Sequence, residues 1–180
     1  MRILRRTAKP PARRTPRQAA RTAVLDPQGR VFLLRSDNSE VGPHWNMPGG
    51  GLESGETPIE GARRELREET GWTDLEPGPL LCTWEHDFTW HGIPVRQHEH
   101  IFLGRGPRRP PTGDLRTAHT ADHILGWHWW SPDELARPGA GPFWPPTLPA
   151  LLDAVRQERP PGDGPVAPVH LGYVPNAPRR

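Results

Sequence analysis

The 23 residues from Gly50 to Trp72, GGLESGETPIEGARRELREETGW, constrain the fold and chemistry of this chain more than any other segment. Thr57, followed by proline, predicts a helix start, and Glu60 completes a capping box. Gly71 predicts the helix stop, because glycine readily adopts the left-handed conformation that ends helices. We therefore expect a helix that begins after Thr57 and runs to about Thr70, preceded by a glycine-rich loop.

Three carboxylates crowd one edge of this predicted helix. At the helical repeat, Glu65, Glu68 and Glu69 fall within an arc of roughly 100°, beside the apolar stripe. Two carboxylates about 6 Å apart repel each other by roughly 3 kcal/mol at an effective dielectric of 20. A hard cation such as Mg²⁺ relieves this repulsion, prefers oxygen ligands and is usually shared with substrate phosphates. The preceding glycines allow the backbone to approach a ligand or to offer a carbonyl to a metal.

The whole block resembles the signature of the Nudix hydrolase family. The matching positions are Gly50, Glu56, Arg64, Glu65, Leu66, Glu68, Glu69, Gly71 and Trp72. At Trp72 the family more often has an aliphatic residue, which affects packing at the helix exit and leaves the chemistry unchanged. The likeness covers about residues 20–158. It implies an α/β fold of the α+β type, an α/β/α sandwich with a mixed β-sheet.

The resemblance also implies a reaction and roles for the charged residues. The expected metal ligands are three carboxylates and one backbone carbonyl, those of Glu65, Glu68, Glu69 and Gly50. Arg64 would orient the glutamates, and Glu56 would brace the loop or bind the metal through water. The implied cofactor is Mg²⁺, with Mn²⁺ as a possible substitute. The implied reaction is attack of a metal-activated water on one phosphorus of a nucleoside diphosphate linked to another moiety.

Residues outside the block add candidates for the site. Many family members use an acidic residue there as a base or an extra ligand, and Glu99 is the candidate in this chain. On a predicted strand Glu99 shares a face with an apolar row that includes Ile101; the alternative is a solvent-exposed glutamate on an edge strand. Trp45, Phe88 and Trp90 are candidate substrate-binding residues, because aromatic rings near the loop and a hairpin turn could stack on a base.

Three other kinds of site are not favoured. His98 and His100 lack a third soft ligand nearby, so a zinc site is not expected. Cys82 has no arguable histidine and acid partners, and a lone cysteine on a strand usually serves packing. The glycine-rich loop is not a phosphate-binding P-loop, because no Gly-Lys-Ser/Thr follows it.

Charge divides the chain into three predicted parts. Residues 1–21 carry eight basic residues and no acid, whereas residues 22–159 carry 13 basic and 20 acidic residues. We predict a flexible basic arm over residues 1–20, the Nudix hydrolase domain over residues 21–159 and a Pro/Gly-rich tail over residues 160–180. The acidic body favours a cation site over a nucleic-acid interface.

Alternation of apolar residues and turn signals predict the remaining elements. The predicted strands cover residues 22–25, 30–34, 80–89, 93–103 and 124–130. His91 and Gly92 suit a hairpin turn, a second capping box begins at Ser131, and a final helix is predicted over residues 147–158. Loops are predicted over residues 36–44 and 104–122.

The expected location is cytoplasmic, because the single cysteine excludes an intramolecular disulfide. No apolar run reaches membrane length, and the arginine-rich start lacks the apolar region of a secretory signal. The expected partner is a nucleotide-like small molecule, and a homodimer remains open. Two alternatives remain: a non-catalytic nucleotide sensor, and an RNA-directed pyrophosphohydrolase or binding module that uses the basic arm. The nucleotide itself is not predicted.

Overall fold

The computed structural model describes residues 13–113, 119–120, 123–157 and 167–175. The strands are β1 (Thr15–Leu25), β2 (Val31–Asn38), β3 (Gly42–Asn46), β4 (Gly49–Gly51), β5 (Leu80–Trp90), β6 (Ile93–Arg105), β7 (Ile124–Trp130), β8 (Phe143–Trp144) and β9 (Val169–Tyr173). The helices with described bounds are α1 (Pro58–Thr70), α2 (Pro132–Leu135) and α3 (Leu148–Gln157). No helix in these described ranges is long and apolar enough to cross a membrane.

The strands form one mixed sheet, in the order β8-β3-β2-β1-β6-β5-β9. Two further pairings lie off this path, β4 with β1 and β7 with β2. β1 runs parallel to β6 along its whole length, whereas β5 and β6 form an antiparallel hairpin. This mixed sheet with a few helices confirms the predicted fold class.

The two faces of the sheet pack against different helices. Alternate residues of β1 and β2, such as Ala23 and Leu33, join a buried cluster with the apolar stripe of α3, Leu148, Leu151, Leu152 and Val155. The intervening residues, such as Val24 and Phe32, join a second cluster with Leu66 of α1. Each fully buried leucine or phenylalanine contributes about 1.5–3 kcal/mol relative to an exposed one. The alternation along β1 and β2 therefore fixes one helix on each face.

Helix α1 begins and ends where the sequence predicts. The Thr57 amide donates to Glu60 Oε2 at 2.9 Å, which is half of the capping box. Gly71 adopts φ 71°, and its amide donates to the Arg67 carbonyl at 2.8 Å. Both ends of the helix are thus set by local residues, and its carboxylates are held in a fixed register.

The β5–β6 turn is also confirmed. His91 and Gly92 have φ of 45° and 78°, which suits the turn that matches the twist of a two-residue hairpin. The turn brings the end of β5 close to the start of β6, and Phe88 pairs in register with Val95. The strands predicted over residues 22–25, 30–34 and 124–130, the second capping box and the final helix are present as well, with Glu158 outside the described residues.

Three segments differ from the sequence prediction, and in two of them, residues 15–20 and 169–173, the strand pairs with a partner far along the chain. Residues 15–20 of the predicted arm belong to β1, which pairs with β6 some 80 residues later. The predicted loop over residues 36–44 contains the end of β2 and the start of β3. Residues 169–173 of the predicted tail form β9, which pairs with β5. Residues 114–118 and 121–122 of the predicted loop lie outside the described residues.

Candidate functional site

A cavity of about 380 Å³ lies beside the glycine-rich strand β4. Its lining includes Gly49, Gly50 and Glu69 together with the rings of Phe88, Trp90 and Trp144. The cavity therefore combines backbone groups and a carboxylate with aromatic rings. A cavity of this size and mixed lining is typical of a small-molecule site.

The glycines of β4 allow the backbone to press against the carboxylates of α1. The Gly49 amide donates to Glu69 Oε2 at 2.7 Å. A Cβ atom at Gly50 would collide with the carboxylate of Glu65. Only glycine therefore permits this approach, which places the backbone of Gly50 directly beside Glu65.

Arg64 connects the carboxylates to the loop. Its Nε and Nη2 donate to the two carboxylate oxygens of Glu56 at 2.9 and 3.0 Å. Its Nη1 donates to Glu65 at 2.9 Å and to Glu68 at 3.2 Å, and Nη2 also donates to the Gly51 carbonyl at 3.0 Å. The hydrogen bonds that Arg64 donates to Glu56 raise the pKa of Arg64 and lower the pKa of Glu56. The guanidinium thus holds the loop and three acidic side chains in one ion-pair network.

The residues at this end fit a hard divalent cation by their chemistry. The available donors are oxygens: the carboxylates of Glu65, Glu68 and Glu69 and the backbone beside Gly50. Such oxygen donors suit Mg²⁺, which keeps several waters and shares its shell with phosphates. In the described part of the chain, no three His, Cys, Asp or Glu side chains lie together as a group that could hold a metal ion. The fit therefore rests on the oxygen chemistry of the donors.

Glu99 is fully buried on β6 and is not an exposed glutamate on an edge strand. Its carboxylate accepts from Arg21 Nε at 3.0 and 3.1 Å and from Gln97 Nε2 at 2.5 Å. His86 Nε2 lies 3.3 Å from it. Burial alone would raise the pKa of Glu99, but Arg21 and His86 hold it below its ordinary value. Glu99 is therefore a buried carboxylate with a dedicated cationic partner.

Arg21 is the functional candidate that the sequence reasoning missed. From β1 its Nη1 donates to the carbonyls of Met47 and Gly49, at 3.1 and 2.8 Å. Arg21 therefore links the buried Glu99 to the glycine-rich strand beside α1. The available signal was a single arginine within the short-side-chain and apolar run of residues 19–25, where a charge needs a buried partner.

The aromatic candidates separate into two places. Phe88 and Trp90 line the cavity, with Trp90 40% exposed. Trp45 does not: it packs against Trp130 with ring centroids 5.1 Å apart. Its neighbours on β3 line the cavity instead, because successive side chains of a strand point to opposite faces. The sequence prediction for Trp45 is corrected for this reason, since it took the preceding residues for a loop.

His44 and Trp144 are cavity residues that the sequence did not indicate. Their rings stack with centroids 3.7 Å apart. Burial lowers the pKa of His44 to about 4, so its ring is neutral near pH 7. The short strand β8 brings Trp144 to this position by pairing in parallel with β3, a contact with no local sequence signal.

The residues set aside in the sequence lie elsewhere. His98 and His100 stack on each other, with centroids 4.8 Å apart, on the face of β6 opposite to Glu99. Cys82 is buried, and burial raises the pKa of its thiol to about 12. A thiol with so high a pKa stays protonated near neutral pH, which disfavours a nucleophilic role.

The chain is similar to known proteins in both sequence and fold. The family model described as NUDIX domain matches residues 15–151. An RNA pyrophosphohydrolase of Erythrobacter litoralis is 36% identical over 132 residues, 67% of this chain and 79% of the relative. The 8-oxo-dGDP phosphatase NUDT18 of Homo sapiens is 34% identical over 115 residues, 63% of this chain and 32% of that protein. A solved MutT protein from Methanosarcina mazei Go1 shares the fold, with a TM-score of 0.57 and 21% identity over 81% of this chain and 96% of its own.

Proposed function

Because the chain belongs to the NUDIX domain family, we propose that its cavity hydrolyses a diphosphate bond in a nucleoside diphosphate linked to another moiety, with Mg²⁺ as the cofactor. One observation carries this proposal. A single cavity joins the glycine backbone of the family signature and the carboxylate of Glu69 to a set of aromatic rings. The backbone and the carboxylate suit a metal and phosphates, and the rings suit a base.

Each side chain has a defined task in this mechanism. Glu65, Glu68 and Glu69, with the Gly50 carbonyl, would hold the cation. When bound, the metal supplies a water activated for attack on phosphorus and charge that stabilises the phosphates. Arg64 keeps the glutamates and the glycine backbone in register through its ion pairs. Phe88 and Trp90 provide apolar faces on which a base stacks.

Glu99 serves in this proposal as a positioning residue. Its described contacts are with Arg21, His86 and Gln97, and it is shielded from solvent. A general base needs hydrogen-bond reach to the proton it abstracts, directly or through one water. Glu99 instead acts through Arg21, which fixes the carbonyls of Met47 and Gly49. The glycine backbone is thus held from both sides, by Arg21 and by α1.

The proposal is tested by Mg²⁺-dependent hydrolysis of a substrate panel. The panel contains nucleoside triphosphates, 8-oxo-dGDP, ADP-ribose, nucleotide sugars, dinucleoside polyphosphates and an RNA oligonucleotide with a 5′-triphosphate. We expect turnover of one class, and a loss of about 100-fold or more in kcat for Glu68→Gln, because a ligand of the cation is lost and with it the stabilisation of charge in the transition state. The side chain of Glu68 is 53% exposed, so the variant should fold.

Glu76→Gln is the matched control for this experiment. Glu76 is an exposed glutamate that pairs with Arg63 and Arg67 of α1 and does not line the cavity. Its variant should keep full activity. If no compound is turned over with Mg²⁺ or Mn²⁺, the enzyme assignment fails in favour of a nucleotide sensor. If Glu68→Gln retains activity, the proposed metal ligands are wrong.

A second candidate substrate is the 5′ end of an RNA. It is favoured by the similarity to an RNA pyrophosphohydrolase and by the basic residues before β1. Basic side chains near a polynucleotide give affinity that decreases with added salt. Preferential turnover of the 5′-triphosphorylated RNA in the panel would select this candidate. A cytoplasmic location remains part of the proposal, because a single cysteine, free and buried, agrees with a reducing compartment.

A further inference from the structure

Strand β1 presents two arginines, Arg17 and Arg21, to the same side of the sheet. They are four residues apart, so both side chains point to one face. Both line the cavity, but their surroundings differ. Arg21 is buried among Glu99 and the loop carbonyls, whereas Arg17 is half-buried nearer the cavity mouth. Arg21 therefore serves the scaffold, and the position of Arg17 points to a different task.

Arg17 contacts both the glycine strand β4 and the aromatic lining of the cavity. A Cβ atom at Gly51 would collide with its Nη2 atom, so the guanidinium lies against the glycine backbone of β4. Its Cζ atom lies 4.6 Å from the ring centroid of Trp90. Gln97 Oε1 accepts a close hydrogen bond from Nη1. One guanidinium thus contacts the strand beside the carboxylates and the aromatic wall at the same time.

These contacts fix the guanidinium without changing its chemistry. Arginine stays charged at all ordinary pH values, and its planar fork of donors matches the oxygens of a phosphate. Stacking on Trp90 holds the plane of the guanidinium at the cavity wall. Gln97 is in turn anchored, because its Nε2 donates to the buried Glu99. The positive charge is therefore held in place before a substrate arrives, which lowers the entropy lost on binding.

We propose that Arg17 is a substrate-binding residue that pairs with the phosphate joining the nucleoside to the reacting phosphorus. This inference rests on the proposed function. A substrate with its diphosphate at the carboxylate end and its base on Phe88 or Trp90 must pass its linking phosphate between them. Arg17 contacts both the glycine strand and Trp90, so its guanidinium is placed to meet that phosphate. Its counter-charge also offsets the repulsion between an anionic substrate and Glu69 in the same cavity.

The test distinguishes two roles of Arg17, binding of the substrate phosphate and holding the ring of Trp90 in place. The variants are Arg17→Gln and Arg17→Lys, and the control is Arg137→Gln, which removes the same charge from an exposed arginine outside the cavity. The probes are the compound turned over in the substrate panel, measured by KM and kcat, and its free nucleoside, measured by its inhibition constant. Thermal unfolding of each variant verifies the fold.

We expect Arg17→Gln to raise KM about tenfold, the loss typical of one charge-assisted hydrogen bond. The value of kcat should change less than twofold, because the contact exists in both ground and transition states. The inhibition constant of the nucleoside should not change, Arg17→Lys should be intermediate, and Arg137→Gln should match the wild type.

Two results would overturn the inference while the proposed function stands. An unchanged KM for Arg17→Gln would show that the phosphate bypasses Arg17. An equal rise in KM and in the nucleoside inhibition constant would show that Arg17 only supports Trp90. Absence of turnover by the wild-type protein would instead defeat the proposed function itself, and this inference with it.

Discussion

At the scale of single residues, the buried pair of Arg21 and Glu99 decides how the cavity floor is built. Two charges removed from water are costly unless each satisfies the other and the remaining donors and acceptors are also used. Here Arg21 also binds two backbone carbonyls, and Glu99 also accepts from Gln97. The pair therefore couples strand β6 to the glycine backbone through one rigid set of hydrogen bonds.

Replacing Glu99 by glutamine should weaken both stability and catalysis. The substitution leaves Arg21 buried without its counter-charge, so unfolding free energy should fall by about 3 kcal/mol. The kcat should fall severalfold, because the glycine backbone loses its brace. Urea denaturation and the pH dependence of kcat measure the two effects.

The matched control is Glu85→Gln, a half-exposed glutamate on the adjacent strand β5. A positioning role leaves the shape of the pH–rate profile unchanged. If Glu99→Gln instead removed the acid limb of that profile and left stability intact, Glu99 would be the general base.

At the scale of elements, helix α1 shows why some parts of the fold are predictable. Its start and stop depend on Thr57, Glu60 and Gly71, which act within a few residues of the chain. The β5–β6 turn is equally local. By contrast, the start of β1 and the existence of β9 depend on pairing with residues far along the chain, which no short sequence pattern reveals.

The same distinction holds within the site. The carboxylates of α1 and the burial of Glu99 follow from helical and strand periodicity, so the sequence predicts which faces they occupy. The pairings of β8, β3 and β1 bring three further side chains into the cavity, those of Trp144, His44 and Arg21. The pairing of β3 also directs Trp45 to the opposite face, where it packs on Trp130. Sequence periodicity fixes the face of a side chain only where the element itself is recognised.

The exit of α1 offers a test at this scale. Gly71 has φ 71°, and a Cβ atom there would collide with the Thr112 carbonyl. Gly71→Ala should therefore lose about 1 kcal/mol for the left-handed conformation and a further 1–3 kcal/mol for the overlap. Gly139→Ala is the matched control, because Gly139 has φ 82° but nothing within 4 Å of an added Cβ.

Chemical denaturation of both glycine variants measures the difference. If Gly71→Ala and Gly139→Ala lost equal unfolding free energy, the backbone near Thr112 would move aside without an energetic penalty. The end of α1 would then not be tightly packed against it.

At the scale of the whole molecule, buried histidines make stability depend on pH. His44 stacks on Trp144, and His86 stacks on Trp84 with centroids 3.9 Å apart. Burial lowers the pKa of both rings, that of His44 to about 4. In the unfolded chain these histidines bind protons near pH 6.5, whereas in the folded chain they stay neutral to a lower pH. The free energy of unfolding must therefore fall as the pH decreases below 6.5.

For His44 the window lies between pH 6.5 and about 4. Across it the folded state should lose on the order of 3 kcal/mol from this residue. Denaturation at several pH values should show that the free energy of unfolding depends less steeply on pH in His44→Phe than in the wild type. His91→Asn, at an exposed turn position with positive φ, should leave the slope unchanged. A slope unaltered in His44→Phe would contradict the neutral, buried state of that ring.

The parallel pairing of β1 with β6 also bears on how the protein is made. β1 leaves the ribosome early, but the strand that completes its ladder ends at Arg105. Contacts between residues this far apart form slowly, because a long loop must close before any of them is gained. Arg17 and Arg21 meet Gln97 and Glu99 only in that step. The centre of the sheet therefore forms only after β6 has emerged, and the cavity only after β8, which carries Trp144, so a nascent chain that lacks β6 has neither.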